Sequence, residues 1–196
     1  MYAKRQAAIY KAATLKNVLL LGLLYLIMTV FIMPEAEREI ERSAYGMGRV
    51  QTFLFRFPDK LYEQIGRYGT EGRALYAAVE MTADICYAVV FALFLASLML
   101  WSSQAAPGKT WTLKRLLVLP LVSFLLAVCN SIGIAWILIN YPANYHFLPL
   151  TIFFFSKLNL LAVLLCTVVI GRNIVRWRAP QKLGIAREVN SIHPPR

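Results

Sequence analysis

Charged residues are scarce in this sequence. They make up 16% of its 196 residues, whereas hydrophobic residues make up 59%. An ordinary soluble domain has about 25% charged and about 45–50% apolar residues. A chain with so few polar side chains cannot cover a water-facing globule. The composition therefore excludes an ordinary soluble domain and favours a protein embedded in lipid.

Cysteine and histidine are also rare. Cys86, Cys129 and Cys166 all lie in hydrophobic runs and form no CxxC motif, so we predict that they are small buried packing residues. The two histidines, His146 and His193, are far apart, and none of the common motifs for metal, nucleotide or hydrolase sites occurs. We therefore predict no metal site and no cofactor, and the sequence argues against an enzyme.

Four hydrophobic runs are long enough to cross a membrane, which requires about 20 mostly apolar residues. They lie at about 17–33, 74–101, 116–139 and 147–170. We predict an all-α bundle of four transmembrane helices in which residues 1–196 form a single membrane domain. The first run ends at Pro34, and the residues after it form a poor cleavage site, so we interpret this run as a retained signal anchor.

The net charge of +11 is unevenly distributed along the chain. Basic residues dominate 1–17, 102–115 and the tail 172–196, whereas 34–73 contains seven acidic and seven basic residues. Positive segments remain on the cytoplasmic side of a membrane. We therefore predict cytoplasmic termini in a bacterial-type inner membrane, with 34–73 outside. This pattern accounts for the positive surplus, so we expect no nucleic-acid partner and a tail that contacts anionic lipids.

The predicted outer segment 34–73 has two helical patterns. Residues 35–42 alternate in charge among good helix formers, so the first helix should continue beyond the membrane. Apolar residues then recur at steps of three and four, at Val50, Leu54, Phe57, Leu61, Ile65 and Tyr68. Charged residues occupy the other faces, at Arg49, Arg56, Lys60, Glu63 and Arg67. This amphipathic helical segment, interrupted at Pro58, either caps the bundle or lies at the lipid interface.

Polar side chains inside the hydrophobic runs are the most informative positions, because a charge near the centre of a span costs about 2.5–3.5 kcal/mol on translocon scales. Tyr25, Asp84, Asn130 and Lys157 lie on four different runs, about eight to ten residues from the outer ends. This spacing places all four at a depth of about 12–15 Å. We therefore predict a buried Asp84–Lys157 ion pair, with Asn130 and Tyr25 as hydrogen-bonding neighbours.

Three further polar residues complete the predicted polar core. Glu80, one helical turn nearer the outer end than Asp84, should line the approach to the core or bind Arg73, and Asn159 interrupts the fourth run. Two roles remain open. Either the polar core is structural and fixes the register of the helices, or it lines a cavity for a proton, an ion or a lipid headgroup.

A scattered pattern of residues between about 70 and 160 resembles uncharacterised prokaryotic four-helix integral membrane proteins. The residues that carry it are Gly72, Arg73, Tyr76, Asp84, Tyr87, Asn130, Tyr141, Pro142, Ser156 and Lys157. In that pattern an acidic residue often precedes the asparagine of the third helix, where this chain has Cys129. The resemblance implies a four-span fold and no particular activity.

These observations favour a non-enzymatic membrane component. It would be an accessory subunit of a membrane complex or a protein that handles small solutes or lipids. The expected partners are membrane lipids together with a protein partner or a second copy of the chain. The alternative is an intramembrane enzyme that acts on a lipid-linked substrate.

The predicted topology can be tested by cysteine labelling in a background without the native cysteines. Cysteines introduced at Ser43 and Thr70 should react with a membrane-impermeant reagent added outside the cell, and cysteines at Ser103 and Ser191 should react only after permeabilisation. Labelling of the Ser103 position in intact cells would overturn the topology.

Overall fold

The computed structural model describes residues 13–46, 48–49, 60–105, 113–143, 145 and 147–192, and it is built from helices. We number them α1 to α5. The helix α1 comprises Leu15–Ile27, a π-helical turn Met28–Ile32 and Met33–Ser43; α2 is Leu61–Arg67; α3 comprises Gly69–Val79, a π-helical turn Glu80–Asp84 and Ile85–Ala105; α4 is Leu113–Asn140; and α5 is Leu148–Ile192. The described ranges contain no β-strand, so the all-α prediction is confirmed for them.

Four of these helices are long and apolar enough to cross a membrane. The candidate spans are Leu15–Ser43, Gly69–Gln104, Leu117–Asn140 and Leu148–Arg176. Each contains one of the four predicted hydrophobic runs to within a residue or two at either end. Their length and composition indicate a membrane protein.

The helix α1 does not end where its hydrophobic run ends. Pro34 has no backbone N–H to donate, so an α-helix normally loses a hydrogen bond there. Here the π-helical turn directly precedes it, with Met33 N–H bonded to Met28 O, and the helix continues to Ser43. Beyond Pro34, exposed charges pair along the surface, Arg38 with Glu35 at 2.7 Å and Arg42 with Glu39 at 3.1 Å. The predicted continuation of the first helix is therefore confirmed.

The short helix α2 packs on one end of the bundle. Leu61, Ile65 and Tyr68 are fully buried, while Lys60 and Glu63 are exposed. Where the structure describes it, the apolar stripe therefore faces the bundle. We call α2 the cap. Other members of the pattern lie outside the described residues, namely Val50, Leu54, Arg56, Phe57 and Pro58.

Two apolar clusters lie at opposite ends of the bundle. The cap cluster joins α1, α2, α3, α4 and α5 through Ile40, Leu61, Ile65, Tyr68, Tyr76, Ile134, Ile137, Leu138 and Ile152. The tail cluster contains Leu95, Met99, Leu100, Cys166 and Ile170. The helix α3 is central, since it contacts α1, α4 and α5. The segments of α3, α4 and α5 between the two clusters carry the polar residues discussed below.

The prediction for the cysteines is wrong at two of three positions. Cys166 is buried in the tail cluster, but Cys86 and Cys129 are exposed on outward faces of α3 and α4. The hydrophobic runs did not distinguish these faces because lipid-facing and core-facing residues of a membrane helix are both apolar.

The close approach of α3 to the end of α1 depends on Gly72. A Cβ atom at this position would lie 2.9 Å from the backbone oxygen of Ser43 and 3.2 Å from the Cα of Ala44. We expect Gly72→Ala to lower the free energy of unfolding in detergent by about 1–3 kcal/mol, as overpacking does.

The matched control is Gly171→Ala on α5, where a Cβ atom would have no neighbour within 4 Å. This change should be neutral or stabilise the protein by up to about 1 kcal/mol through helix propensity. Thermal unfolding followed by circular dichroism measures both variants. If Gly72→Ala is as stable as Gly171→Ala, the two helices do not meet at this point.

Candidate functional site

Two carboxylates are buried on the π-helical turn of α3. The side chain of Glu80 is 0% exposed and that of Asp84 is 9% exposed. They are four residues apart, so they lie on the same side of the helix. Single π-helical turns inside α-helices occur frequently at functional sites. Because a buried charge is costly unless it is paired, a nearby cation would stabilise the charged form of these side chains.

Arg49 supplies that cation from the segment between α1 and α2. Its Nη2 atom lies 3.6 Å from Glu80 Oε1 and donates a hydrogen bond to Asp84 Oδ2. The Arg49 side chain is only 12% exposed. One guanidinium thus faces two carboxylates at the junction of the cap and the bundle. We call this group of three residues the ion cluster.

Neighbouring side chains hold the ion cluster in place. The hydroxyl of Tyr68 donates a hydrogen bond to the carbonyl of Gly48, directly before Arg49. The side chains of Tyr76 and Ser131 lie beside the carboxylate of Glu80. The ring of Tyr76 also lies 5.9 Å from the Arg49 guanidinium carbon, within the range of a cation–π contact. The cap, α3 and α4 therefore converge on this group.

The charge state of Arg49 is set by two opposing effects. Burial lowers the pKa of its guanidinium, but the attraction of Asp84 and Glu80 outweighs this and raises the pKa above the ordinary value. Burial raises the pKa of the Tyr68 hydroxyl, so this group remains protonated and able to donate to Gly48. Arg49 is therefore a permanent positive charge at the end of the polar core next to the cap.

The predicted Asp84–Lys157 pair does not form. Asp84 pairs with Arg49. Lys157 is exposed, and its Nζ atom lies 5.2 Å from the centre of the Phe153 ring. The prediction paired the two residues because their estimated depths are similar. Depth along a helix does not fix the direction in which a side chain points around the helix axis.

The predicted contact between Glu80 and Arg73 is also replaced. The Arg73 guanidinium lies 4.5 Å from the centre of the Tyr141 ring, and its Nη2 atom is 3.5 Å from Thr70 Oγ1. Arg73 therefore binds an aromatic face at the cap, and Arg49 takes the place that it was expected to occupy.

A cavity of about 190 Å³ extends from Asp84 between α3, α4 and α5. Five polar side chains line it, those of Asp84, Ser123, Asn130, Ser131 and Asn159. The other lining residues are Tyr87, Ala88, Phe91, Ala92, Phe124 and Ala127. The alanines create the space, since small side chains on packed helices leave room between the backbones. We call this space the polar cavity.

Serine–asparagine hydrogen bonds link α4 and α5 around the polar cavity. Ser156 Oγ donates to Asn130 Oδ1 at 2.9 Å, and Ser123 Oγ donates to Asn159 Oδ1 at 2.6 Å. These bonds fix the register of the two helices. The asparagine and serine side chains can both donate and accept hydrogen bonds, so the wall of the cavity suits a ligand with either kind of group.

Tyr25 connects α1 to the wall of the polar cavity. The hydroxyl of Tyr87, which lines the cavity, donates to the hydroxyl of Tyr25 at 3.0 Å. The Tyr25 ring packs on Phe91 and Phe94, with ring centres 5.1 and 5.7 Å apart. Tyr25 is therefore one hydrogen bond removed from the cavity and anchors α1 to α3.

The structure thus gathers five of the seven predicted residues. Asp84, Asn130 and Asn159 line the polar cavity, while Glu80 joins it through the ion cluster and Tyr25 through Tyr87. The remaining two, Arg73 and Lys157, are not among the described residues that line it.

The sequence prediction missed the role of Arg49. A signal was present, because two acidic residues lie in the run 74–101, which contains no lysine or arginine. The compensating cation had to come from outside that run. The sequence did not indicate which of several basic residues supplies it, and pattern analysis assigned Arg49 to the polar face of the cap.

Comparison with known proteins adds no relative. No family model matches the chain, and no curated protein or solved structure matches it.

Breaking the ion cluster should destabilise the protein. Removal of one partner of a buried ion pair typically costs about 3–5 kcal/mol, because it leaves an uncompensated charge. We expect Arg49→Met and Asp84→Asn each to lower stability in detergent. The double variant should lose less than the sum of the two, since neighbouring sites couple by about 0.5–3 kcal/mol.

The control cycle combines Lys157→Met with Asp84→Asn. These two changes should be additive, because Asp84 pairs with Arg49. Chemical unfolding in detergent micelles measures both cycles. Coupling between Asp84 and Lys157, with none between Asp84 and Arg49, would support the predicted Asp84–Lys157 ion pair and refute the ion cluster.

Proposed function

We propose that this chain is a non-enzymatic integral membrane protein that binds a small polar solute or a lipid headgroup in the polar cavity. The observation that carries the proposal is the cavity itself. Six side chains that can form hydrogen bonds, the five polar ones and Tyr87, line a space in a bundle that has an apolar cluster at each end. Polar side chains are expensive in the interior of a membrane protein, and they usually mark a pathway or a binding site there.

The size of the polar cavity suits a small ligand. An engineered apolar cavity of about 150 Å³ in another protein binds benzene, so the 190 Å³ here accommodates a group of about six heavy atoms. If the polar side chains only fixed the register of the helices, we would expect them to pack against one another and leave no space between them. The two serine–asparagine bonds already link α4 and α5, so the space beside them supports a role in binding.

The orientation and the membrane are part of the proposal. The basic tail and the basic segment 102–115 support cytoplasmic termini in an inner membrane. In that orientation the cap and Arg49 lie outside, and the ion cluster is at the outer end of the polar cavity. Membrane lipids are the expected partners, because large apolar side chains such as Leu19, Leu20 and Leu23 are exposed along α1. A role as an accessory subunit uses the same exposed faces to bind another membrane protein.

Accessibility of the polar cavity to water tests the proposal. In a background without native cysteines, Ala127→Cys should react with a small hydrophilic thiosulfonate, because Ala127 lines the cavity. Leu125→Cys is the control on the same helix. It faces outward, so in a membrane its thiol would lie in hydrocarbon and remain protonated and unreactive. If neither thiol reacts in reconstituted membranes, the polar core is sealed and structural.

A further inference from the structure

A second cavity, almost entirely apolar, lies next to the polar cavity. It has a volume of about 360 Å³ and runs along the surface between α3 and α4. Ala96 and Pro120 are among its lining residues, together with Leu93 and Leu121. The last two side chains are more than half exposed, so this groove opens on the outer surface of the bundle. We call it the apolar groove.

The apolar groove and the polar cavity share part of their walls. Ala92 and Phe124 line both. The polar cavity begins at Asp84 and the ion cluster, and the groove continues from Ala92 and Phe124 toward the tail cluster. The two spaces therefore form an amphipathic path, with hydrogen-bonding groups at one end and hydrocarbon at the other.

We propose that the polar cavity and the apolar groove together form one binding site for a lipid from the surrounding bilayer. The headgroup occupies the polar cavity beside Asp84, and an acyl chain lies in the groove. This inference rests on the proposed function and deepens it by naming the ligand class. A water-soluble solute would use the polar cavity alone and would gain nothing from the adjoining groove.

The ion cluster favours one type of headgroup. Two carboxylates face a single guanidinium, and the described residues that line the polar cavity include no lysine, arginine or histidine. A headgroup with an ammonium or with hydroxyl groups can donate hydrogen bonds to Asp84 and to the asparagine oxygens. A bare phosphate monoester would bring negative charge toward Asp84 and find no cation in the cavity wall.

The geometry of the groove agrees with a lipid lying parallel to the helices. The lining segments Val89–Ala96 and Leu117–Phe124 each rise about 10 Å at ~1.5 Å per residue. The chain would thus run alongside α3 and α4 away from the cap, with the headgroup directed toward it. In the proposed orientation this is the direction of a lipid in the outer leaflet.

The test measures lipid binding to the full-length protein by native mass spectrometry. The probes are phosphatidylethanolamine and phosphatidic acid with identical acyl chains, each added to protein purified in detergent. Ala96→Trp blocks the groove only, and Ala127→Leu fills the polar cavity only, because each residue lines one of the two spaces. Ala78→Trp, at an exposed position on α3, is the control.

We expect Ala96→Trp and Ala127→Leu each to weaken binding of phosphatidylethanolamine by about tenfold or more. This is the loss expected when two or more methylene groups, or a polar contact of similar free energy, are displaced from the site. Ala78→Trp should bind it as the unmodified protein does. Phosphatidic acid should bind more weakly. The milder Ala96→Leu, with its melting temperature, replaces Ala96→Trp if the tryptophan variant does not fold.

The other outcomes separate this inference from the proposed function. If Ala127→Cys reacts with the thiosulfonate but Ala96→Trp and Ala127→Leu both bind lipid as the unmodified protein does, the cavity takes a soluble solute and the lipid inference is wrong. If Ala127→Cys is also inaccessible, the proposed function fails as well. Equal binding of phosphatidic acid and phosphatidylethanolamine would overturn the assignment of the headgroup.

Discussion

The burial of two carboxylates on one turn of α3 is the constraint on which the rest of this structure depends. Glu80 and Asp84 cannot remain charged in the bundle without a cation, and α3 provides none within its apolar run. Arg49 reaches in from the segment after α1 and supplies that charge. Tyr68, a member of the cap cluster, donates a hydrogen bond to Gly48 directly before it. The ion cluster joins the segment between α1 and α2 to α3.

The polar cavity follows from the same constraint. Below the ion cluster, side chains from α3, α4 and α5 continue the polar layer, and each must find a hydrogen-bonding partner. The serine–asparagine pairs satisfy part of this requirement and fix how α4 lies against α5. The small alanine side chains on α3 and α4 leave the remaining space between the helices unfilled. A structural role for the polar residues and a binding role for the space between them are therefore compatible.

The proposed lipid site uses one face of α3, which is polar near the cap and apolar near the tail cluster. The helix carries the acidic turn near the cap and then a series of alanines, Ala88, Ala92 and Ala96, toward the tail cluster. The first of these lines the polar cavity, the last lines the apolar groove, and Ala92 lines both. One helix face thus changes from charged to hydrocarbon over a length that matches part of a lipid. This change in polarity distinguishes the site from an ordinary apolar helix surface.

The sequence by itself determined the helical class, the four candidate spans and most of the polar residues that line the cavity. A long run of apolar residues is expected to form a helix in lipid, because a helix satisfies its own backbone hydrogen bonds. It also identified Asp84, Asn130 and Asn159, since polar side chains in such runs are conspicuous. Only the tertiary structure decided that Arg49 and not Lys157 pairs with Asp84. Spacing along a helix fixes the depth of a side chain. The choice of an ion-pair partner depends on the rotation of each helix about its axis and on the path of a loop. Neither of these leaves a periodic pattern in the sequence.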